Sequence, residues 1–297
     1  MQHGIIVCKH NINFDVEDQQ GNLHLCSARK KAGMLVCGDH VMWEPLEAGK
    51  GVITALVPRK NLLSRPDRRG TVKAIASNID QLLIVVSTQP QLSLNLVDRY
   101  LVASELLAIT PVIVLNKTDL IDDATMQTIR QQLSVYEQLG YQVLFTSTKQ
   151  AHGLDSLLQQ LTGKTSIFVG QSGVGKSSLI QQILPEKEIR VGELSDATGL
   201  GRHTTSTSRL YHIAAGGAII DSPGIREFSL WKAPVEDIQR GFREFIPYLG
   251  QCQFNDCKHD SEPGCAITAA AQRGDINAAR LHSYHDIIAS MIEGRAR

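Results

Sequence analysis

The sequence predicts an α/β protein in which a doubly wound parallel sheet stands between a small N-terminal β-barrel and a C-terminal, mainly helical module. Three observations support this fold class. Short apolar stretches alternate with turn-forming residues up to about Arg65, buried strands alternate with helical spacing from Ile79, and cysteines cluster beside a histidine after about Trp231. The domains that we expect are residues 1–66, 67–230 and 231–297.

The N-terminal region carries short apolar stretches punctuated by Gly21-Asn22, Gly38-Asp39 and Gly49-Lys50-Gly51. This pattern predicts a small barrel of about five strands, of the OB type. The segment from Ser64 to Gly70 lacks apolar periodicity and contains structure breakers, so it predicts a linker. The strands that we expect in the barrel are Ile5–Val7, Leu23–Cys26, Met34–Cys37, Val41–Trp43 and Val52–Val57.

From Ile79 the pattern changes to short buried runs separated by segments with helical spacing. After about Trp231 the strands stop, and Ala266–Glu293 predicts helices with a break near Gly274. The strands that we expect in the sheet are Leu82–Val86, Val112–Leu115, Val143–Thr146, Ser166–Val169 and Ala218–Ile220. The helices that we expect between them are Leu96–Ala108, Ala124–Leu139, Leu154–Leu161 and Lys176–Leu184.

The composition is that of a soluble globular protein, with 42% hydrophobic and 20% charged residues. No apolar run reaches the roughly 20 residues of a membrane-spanning helix. The N-terminus lacks the basic and apolar segments of a secretory signal, so we expect a cytoplasmic protein without membrane contact. The formal net charge of zero argues against a protein that coats nucleic acid, although basic residues cluster at 29–31 and 59–69.

A glycine-rich loop between an expected strand and an expected helix matches the phosphate-binding motif GxxxxGK[ST]. Its backbone N–H groups and the following helix N-terminus suit the phosphates of a nucleotide. Lys176 would reach the terminal phosphates, and the Ser177 hydroxyl would ligate Mg²⁺. The residues that we expect around the phosphates are Gly170, Gln171, Ser172, Gly173, Val174, Gly175, Lys176, Ser177 and Ser178.

The base is indicated by Asn116-Lys117-Thr118-Asp119, which follows an expected strand. The Asp119 carboxylate can accept hydrogen bonds from the N1–H and the exocyclic amine of guanine, whereas adenine presents an unprotonated nitrogen there. Asn116 would hold the other edge of the site, and the Lys117 stem can lie along the base. Ser147, after the next strand, could offer a backbone N–H to the guanine carbonyl. The nucleotide that we expect is therefore GTP.

Two further segments would hold magnesium and the γ-phosphate. Asp221-Ser222-Pro223-Gly224 supplies DxxG, in which Asp221 would hold magnesium through water and the Gly224 N–H would sense the γ-phosphate. In the polar loop at 198–206 a threonine is expected to ligate magnesium, and we prefer Thr205 to Thr204.

The residue after DxxG is Ile225, which cannot orient an attacking water, so we expect slow intrinsic hydrolysis. His203 is the candidate within the chain for positioning that water when a partner orders its loop. A plain structural role for His203 in the loop is the alternative. The catalytic residues that we expect are His203, Thr205 and Lys176.

The motifs stand in an inverted order, because NKxD precedes the P-loop instead of following DxxG. This order predicts a circularly permuted domain whose ends open between the DxxG and NKxD units. The nucleotide-sensing segment then ends directly before the C-terminal module, so that nucleotide state could be transmitted to it.

The C-terminal module contains three thiols and one imidazole within a short loop-rich stretch. This closed Cys₃His set is suited to one tetrahedral, structural Zn²⁺, because four protein ligands leave no open position for catalysis. The ligands that we expect are Cys252, Cys257, His259 and Cys265.

Together these motifs resemble the circularly permuted ribosome small subunit-dependent GTPase A family, which acts in maturation of the bacterial small ribosomal subunit. The resemblance covers nearly the whole chain and includes Gly38-Asp39-His40-Val41 and Asp221 to Phe228. One departure is Ser206, which stands where a third threonine is usual after His203. The resemblance implies an OB barrel, a permuted GTPase domain and a zinc domain that contact small-subunit rRNA, hydrolysis stimulated by the subunit, and release of another assembly factor.

Two other functions remain open from the sequence. The first is an RNA-binding assembly scaffold for which GTP is mainly a conformational ligand, and the second is a regulatory GTPase that acts on a protein target. The basic residues could contact rRNA phosphate or form a solvated linker. We expect a monomer. The basic residues in question are Arg59, Lys60, Arg65, Arg68 and Arg69.

Overall fold

The computed structural model describes residues 1–66, 71–184, 208–222 and 233–295. Within these ranges, eleven strands join into one continuous sheet that runs from the N-terminal barrel into the central domain. The expected α/β fold with a barrel before it and a helical module after it is confirmed. No helix in the described part of the chain is both long and apolar enough to cross a membrane.

The N-terminal barrel is closed by hydrogen bonds between its first and fourth strands. Side chains on alternate positions fill its interior, and Val16, Trp43 and Ile53 are fully buried there. A short 3₁₀ helix, Lys30–Ala32, packs against the barrel through its buried Ala32. The five strands are β1 (Gln2–His10), β2 (Asn13–Asp18), β3 (Leu23–Ala28), β4 (His40–Pro45) and β5 (Lys50–Leu56).

The prediction of one barrel strand is wrong. Met34–Cys37 forms no strand, and Cys37 makes only an isolated bridge to Ala76. These residues are mostly buried by loop packing, which produces an apolar run without strand pairing. The strand that the pattern missed is β2, in which polar residues alternate with buried apolar ones. Such alternation marks a strand with one buried face.

The segment expected to be a linker begins with a strand. β6 (Leu62–Pro66) pairs antiparallel with β7 (Val72–Ser77). Residues 64–66 therefore belong to a hairpin, and the linker expectation is wrong for them. Residues 67–70, with Arg68 and Arg69, lie outside the described residues.

A buried carboxylate joins this hairpin to the barrel. Asp39 is fully buried, and its two oxygens accept hydrogen bonds from Nε and Nη2 of Arg59 at 2.6 and 2.8 Å. The Ser77 hydroxyl of β7 and the Val36 N–H donate to the same carboxylate at 2.6 and 2.8 Å. Because a buried charge needs such partners, the guanidinium of Arg59 is paired with Asp39 within the fold.

The central sheet has the strand order β10-β9-β8-β11-β13-β12, and only β12 is antiparallel to its neighbour within it. β12 also pairs with β1, which joins the central sheet to the barrel. Strand β12 was not expected from the sequence, because it is four residues long and has one buried residue. The strands are β8 (Gln81–Val86), β9 (Thr110–Leu115), β10 (Gln142–Phe145), β11 (Thr165–Val169), β12 (Arg209–His212) and β13 (Ala218–Asp221).

Helices cover both faces of this sheet. Leu82 and Ile84 point to the face covered by the first two helices, whereas Leu83 and Val85 point to the face covered by the next two. The doubly wound arrangement is therefore confirmed, and all four expected helices are present. They are α1 (Leu94–Leu106), α2 (Asp123–Gln138), α3 (Asp155–Leu161) and α4 (Lys176–Ile183).

The C-terminal module packs against α1 through its helices and an aromatic cluster. Phe242 stacks on Phe245 with ring centroids 4.9 Å apart, and Tyr284 meets both rings edge-on. The expected helices with a break near Gly274 are confirmed. The module contains α5 (Val235–Arg240), a 3₁₀ helix (Arg243–Tyr248), α6 (Ala266–Arg273) and α7 (Ala278–Arg295).

A buried arginine connects the module to the central domain. Arg280 of α7 is 2% exposed and donates from Nη1 to Asp98 of α1 at 2.5 Å. Its Nε and Nη2 atoms donate to the two oxygens of Glu244 at 2.6 and 3.1 Å. Tyr136 of α2 donates to the same Asp98 oxygen at 2.8 Å. The guanidinium is therefore paired with two buried carboxylates, Asp98 on α1 and Glu244 in the module.

Replacing Arg280 should destabilise the protein strongly, because Asp98 and Glu244 would remain buried without a cation. For Arg280→Met we expect a loss of about 3–5 kcal/mol in the free energy of unfolding, measured by urea denaturation. Arg29→Met is the control, since Arg29 forms an exposed pair with Glu44 and should cost no more than about 1 kcal/mol. Equal losses of unfolding free energy in the two variants would contradict the role of Arg280 as the cation that pairs with the buried carboxylates.

Candidate nucleotide site and metal centre

The phosphate loop lies at the carboxyl edge of the parallel sheet, between β11 and α4. Gly170 has φ 133° and a side chain there would reach 2.1 Å from the Val85 carbonyl oxygen. Gly175 has φ 96°, and a Cβ would lie 2.3 Å from Nδ2 of Asn116. These two positions require glycine because the loop bends in a left-handed conformation against neighbouring backbone and side chain.

The lysine and the two serines that end the loop lie in the first turn of α4. Lys176 is 9% exposed, and its ammonium group donates to the carbonyl oxygens of Gly170 and Gln171 at 2.6 and 2.5 Å. Ser177 is half-buried and Ser178 is exposed in the first turn of α4, where helix N–H groups point outward. Gln171, Ser172 and Gly173 are exposed, and Val174 is buried beneath them.

The guanine motif is fastened directly to the phosphate loop. Asn116 is buried, and its Nδ2 atom donates to the Val174 carbonyl at 2.9 Å. Thr146 donates from Oγ1 to the other side of the same amide at 3.2 Å. Lys117 adopts φ 63° and donates from Nζ to the Gly173 carbonyl at 2.6 Å. Two motifs far apart in the sequence are therefore in direct contact.

The carboxylate expected to recognise guanine is oriented by a neighbouring hydroxyl. Ser147 donates from Oγ to Asp119 Oδ1 at 2.5 Å. Ser147 follows β10, and the contact that it makes with Asp119 is through its side chain. Thr118 donates from its hydroxyl and its N–H to the Thr146 carbonyl at 3.1 and 3.2 Å. Thr118 thus holds the two loops together.

One contact at this site had no signal in the sequence. The Lys117 ammonium also donates to the Gln89 carbonyl at 2.8 Å, and the Ser87 hydroxyl donates to that carbonyl at 2.8 Å. The segment after β8 therefore supports Lys117 from a third side. A backbone carbonyl leaves no trace in residue type, so sequence patterns could not have revealed it.

The remaining site residues are only partly described. Asp221 is the last residue of β13, next to the phosphate-loop strand β11, and it is half-buried. Its carboxylate and the Ser177 hydroxyl supply oxygen donors, which magnesium prefers. The expected positions Gly224 and Ile225 lie outside the described residues, as do His203, Thr204 and Thr205.

The C-terminal module brings its four candidate ligands together. Their ligating atoms all lie within 4.8 Å of one another, and His259 Nδ1 is 3.5 Å from the sulfurs of Cys252 and Cys265. Bond lengths of zinc to sulfur and nitrogen place such atoms about 3.5 Å apart in a tetrahedral site. The cluster therefore fits a metal of this kind. The four residues are Cys252, Cys257, His259 and Cys265.

Backbone and helix geometry prepare this cluster for a cation. The N–H groups of Ala266 and Thr268 point at the sulfurs of Cys252 and Cys265, each at 3.4 Å. Burial opposes ionisation of Cys265, but the hydrogen bonds from Thr268 bring the pKa of its thiol below the usual value. Such donors stabilise a thiolate, the form that ligates a metal.

Comparison with known proteins places these features in one family. A profile described as "RsgA GTPase" matches residues 56–231. A Haemophilus influenzae (strain 86-028NP) protein named "Small ribosomal subunit biogenesis GTPase RsgA" is 48% identical over 300 residues, covering 100% of this chain and 87% of the relative. A protein of the same name from Actinobacillus pleuropneumoniae serotype 5b (strain L20) is 49% identical over 301 residues, covering 100% and 88%.

Two solved structures have the same overall architecture. The crystal structure of YjeQ from Thermotoga maritima superposes with a TM-score of 0.81 at 32% identity and covers 98% of each chain. YloQ, described as a circularly permuted GTPase, gives a TM-score of 0.79 at 28% identity and covers 99% of this chain and 96% of its own. The inverted motif order is therefore that of a circularly permuted GTPase, and this chain belongs to the RsgA GTPase family.

Proposed function

We propose that this protein is a GTP hydrolase that binds the small ribosomal subunit and assists its late maturation. The observation that carries the proposal is the contact of the guanine motif with the phosphate loop through Asn116 and Lys117. The names of the full-length relatives support the small subunit as the partner. Slow intrinsic hydrolysis follows from Ile225, which has no group to orient water, and stimulation by the subunit is what the family membership implies.

Different residues at the site bind the base, the phosphates and magnesium. Asp119, oriented by Ser147, accepts the two guanine N–H groups, while the phosphate-loop N–H groups hold the phosphates. Lys176 brings positive charge to the terminal phosphates. Magnesium, when bound, neutralises charge that develops on the transferring phosphoryl group, and Ser177, Asp221 and Thr205 are the residues that would hold it. The Gly224 N–H would contact the γ-phosphate.

The surrounding domains are proposed to bind ribosomal RNA. The basic cluster at residues 59–69 offers less charge to RNA than its composition suggests, because Arg59 is occupied by Asp39 and Lys60 pairs with Asp80 at 3.2 Å. Arg65, on β6, and Lys30 and Lys31 remain as candidates for phosphate contact, whereas Arg29 pairs with Glu44. Another assembly factor released by hydrolysis, a monomeric state and a cytoplasmic location belong to the same proposal.

An assembly scaffold that uses GTP mainly as a conformational ligand is the second candidate. It is favoured by the three-part architecture, in which the barrel, the permuted domain and the module lie in one connected structure. The two functions differ in one measurable respect. A scaffold would bind GTP with little change in turnover when small subunits are added.

Turnover should rise strongly when purified small subunits are added, and His203→Ala should reduce that stimulated rate by about 100-fold or more if His203 positions the water. The affinity of the His203→Ala variant for GTP should stay unchanged. The control is His152→Ala, because His152 is an exposed loop residue paired with Asp155 and should leave both quantities unaltered. Steady-state phosphate release measures the rates. Absence of stimulation favours the scaffold, and unchanged stimulated turnover in His203→Ala removes that residue's role.

We further propose that the Cys₃His group holds one structural Zn²⁺. Elemental analysis after extensive dialysis should give one zinc per chain, and Cys257→Ser should lose it together with the helical signal of the module, since small zinc modules fold with their metal. Cys26→Ala is the control, because Cys26 is a buried barrel cysteine away from this cluster and should retain one zinc. Metal-free wild-type protein with unchanged helicity would refute the proposal.

A further inference from the structure

A second group of potential metal ligands lies in the barrel, far along the chain from the Cys₃His cluster. Ligating atoms of Cys8, His10 and Asp15 all lie within 4.8 Å of one another. Cys8 and His10 belong to β1, and Asp15 stands opposite Cys8 on β2. His10 Nε2 is 2.8 Å from Asp15 Oδ2. Three donors of different types therefore converge at one end of a hairpin.

We propose that Cys8, His10 and Asp15 form a second, exchangeable site for a soft divalent cation such as Zn²⁺, with solvent as the fourth ligand. Sulfur, imidazole nitrogen and carboxylate oxygen are the three protein donor types that zinc accepts. A thiolate and a carboxylate together balance the double charge of the ion. Three protein ligands with one open position distinguish this site from the closed cluster in the C-terminal module.

The exposure of the three residues suits an exchangeable ion. Cys8 is buried, whereas the side chains of His10 and Asp15 are 45% and 20% exposed, so that an ion could enter from solvent between them. With three protein ligands and an opening to solvent, this site should bind the ion more weakly than the closed Cys₃His cluster does.

The same sheet contains a built-in comparison. His24 Nε2 lies 2.8 Å from Asp18 Oδ2, the same separation as in the His10–Asp15 pair. Among the described residues, however, only the Cys₃His set and the Cys8 group bring three candidate donors together. The presence of the thiol is thus what separates the proposed site from an ordinary histidine–carboxylate pair.

The location gives the site a structural consequence. Cys8 is the β1 residue that pairs with Arg209 of β12, the register pair that joins the barrel to the central sheet. An ion held by Cys8 would stabilise the end of the β1–β2 hairpin where β1 pairs with β12. β12 in turn pairs with β13, in which Arg209 stands opposite Asp221. A metal ion at Cys8 would therefore hold β12 in place. β12 is the neighbour of β13, which ends in Asp221, a residue proposed to hold magnesium.

Zinc binding to the full chain tests the site. Protein carrying its tightly bound zinc is dialysed against a series of zinc concentrations, and bound metal is measured by elemental analysis. Wild type should bind a second equivalent. Cys8→Ser, His10→Gln and Asp15→Asn should each weaken that equivalent by at least about 10-fold, while His24→Gln should retain it.

Cobalt supplies an independent readout of the ligand type. Added briefly to the zinc-loaded protein, Co²⁺ should give a thiolate-to-metal charge-transfer band in wild type and none in Cys8→Ser. His10→Gln changes an exposed side chain, so misfolding does not account for a loss of binding in that variant if its circular dichroism is unchanged. The proposal is overturned if wild type binds no second equivalent, if His10→Gln and Cys8→Ser keep it, or if His24→Gln loses it equally.

Discussion

The nucleotide site depends on the hydrogen bonds that join the guanine motif to the phosphate loop. The buried Asn116 amide donates to Val174, and the Lys117 ammonium donates to Gly173 and Gln89. These bonds require the close approach that glycine permits at position 175. Because both motifs follow parallel strands, β9 and β11, they reach the same edge of the sheet whatever their order along the chain. Circular permutation therefore leaves the site intact.

The anchored C-terminal module constrains how nucleotide state can be transmitted. The inverted motif order places the DxxG segment directly before the module. The module is nevertheless held to α1 by the buried Arg280–Asp98 ion pair and by the packing of α5 and α7 against α1. A signal from the nucleotide would have to move α1 together with the module or break this ion pair. Because breaking it leaves buried charges unpaired, joint movement costs less.

Features that depend on local pattern could be predicted from the sequence. The five parallel strands and the four helices of the central domain have buried runs or helical spacing, and the phosphate and guanine motifs have a fixed chemistry at fixed spacing. The prediction of a strand at residues 34–37 was wrong because these apolar residues are buried by the packing of a loop. Strand β2 was missed because only its alternate positions are apolar. The ion pairs of Asp39 and Arg280 link residues 20 and 182 positions apart, and no local pattern reveals such partners.

The most direct test of guanine recognition at the joined loops is the nucleotide affinity of Asp119→Asn. An asparagine keeps the size of the side chain but presents an amide donor to the guanine amine, so GTP binding should weaken by about 100-fold. The same donor matches the C2 carbonyl of xanthine, so xanthosine triphosphate should bind more tightly than it does to wild type. Asp123→Asn, on an exposed residue of α2, is the control and should change neither affinity. Equal affinities of Asp119→Asn and wild type for GTP would contradict the account.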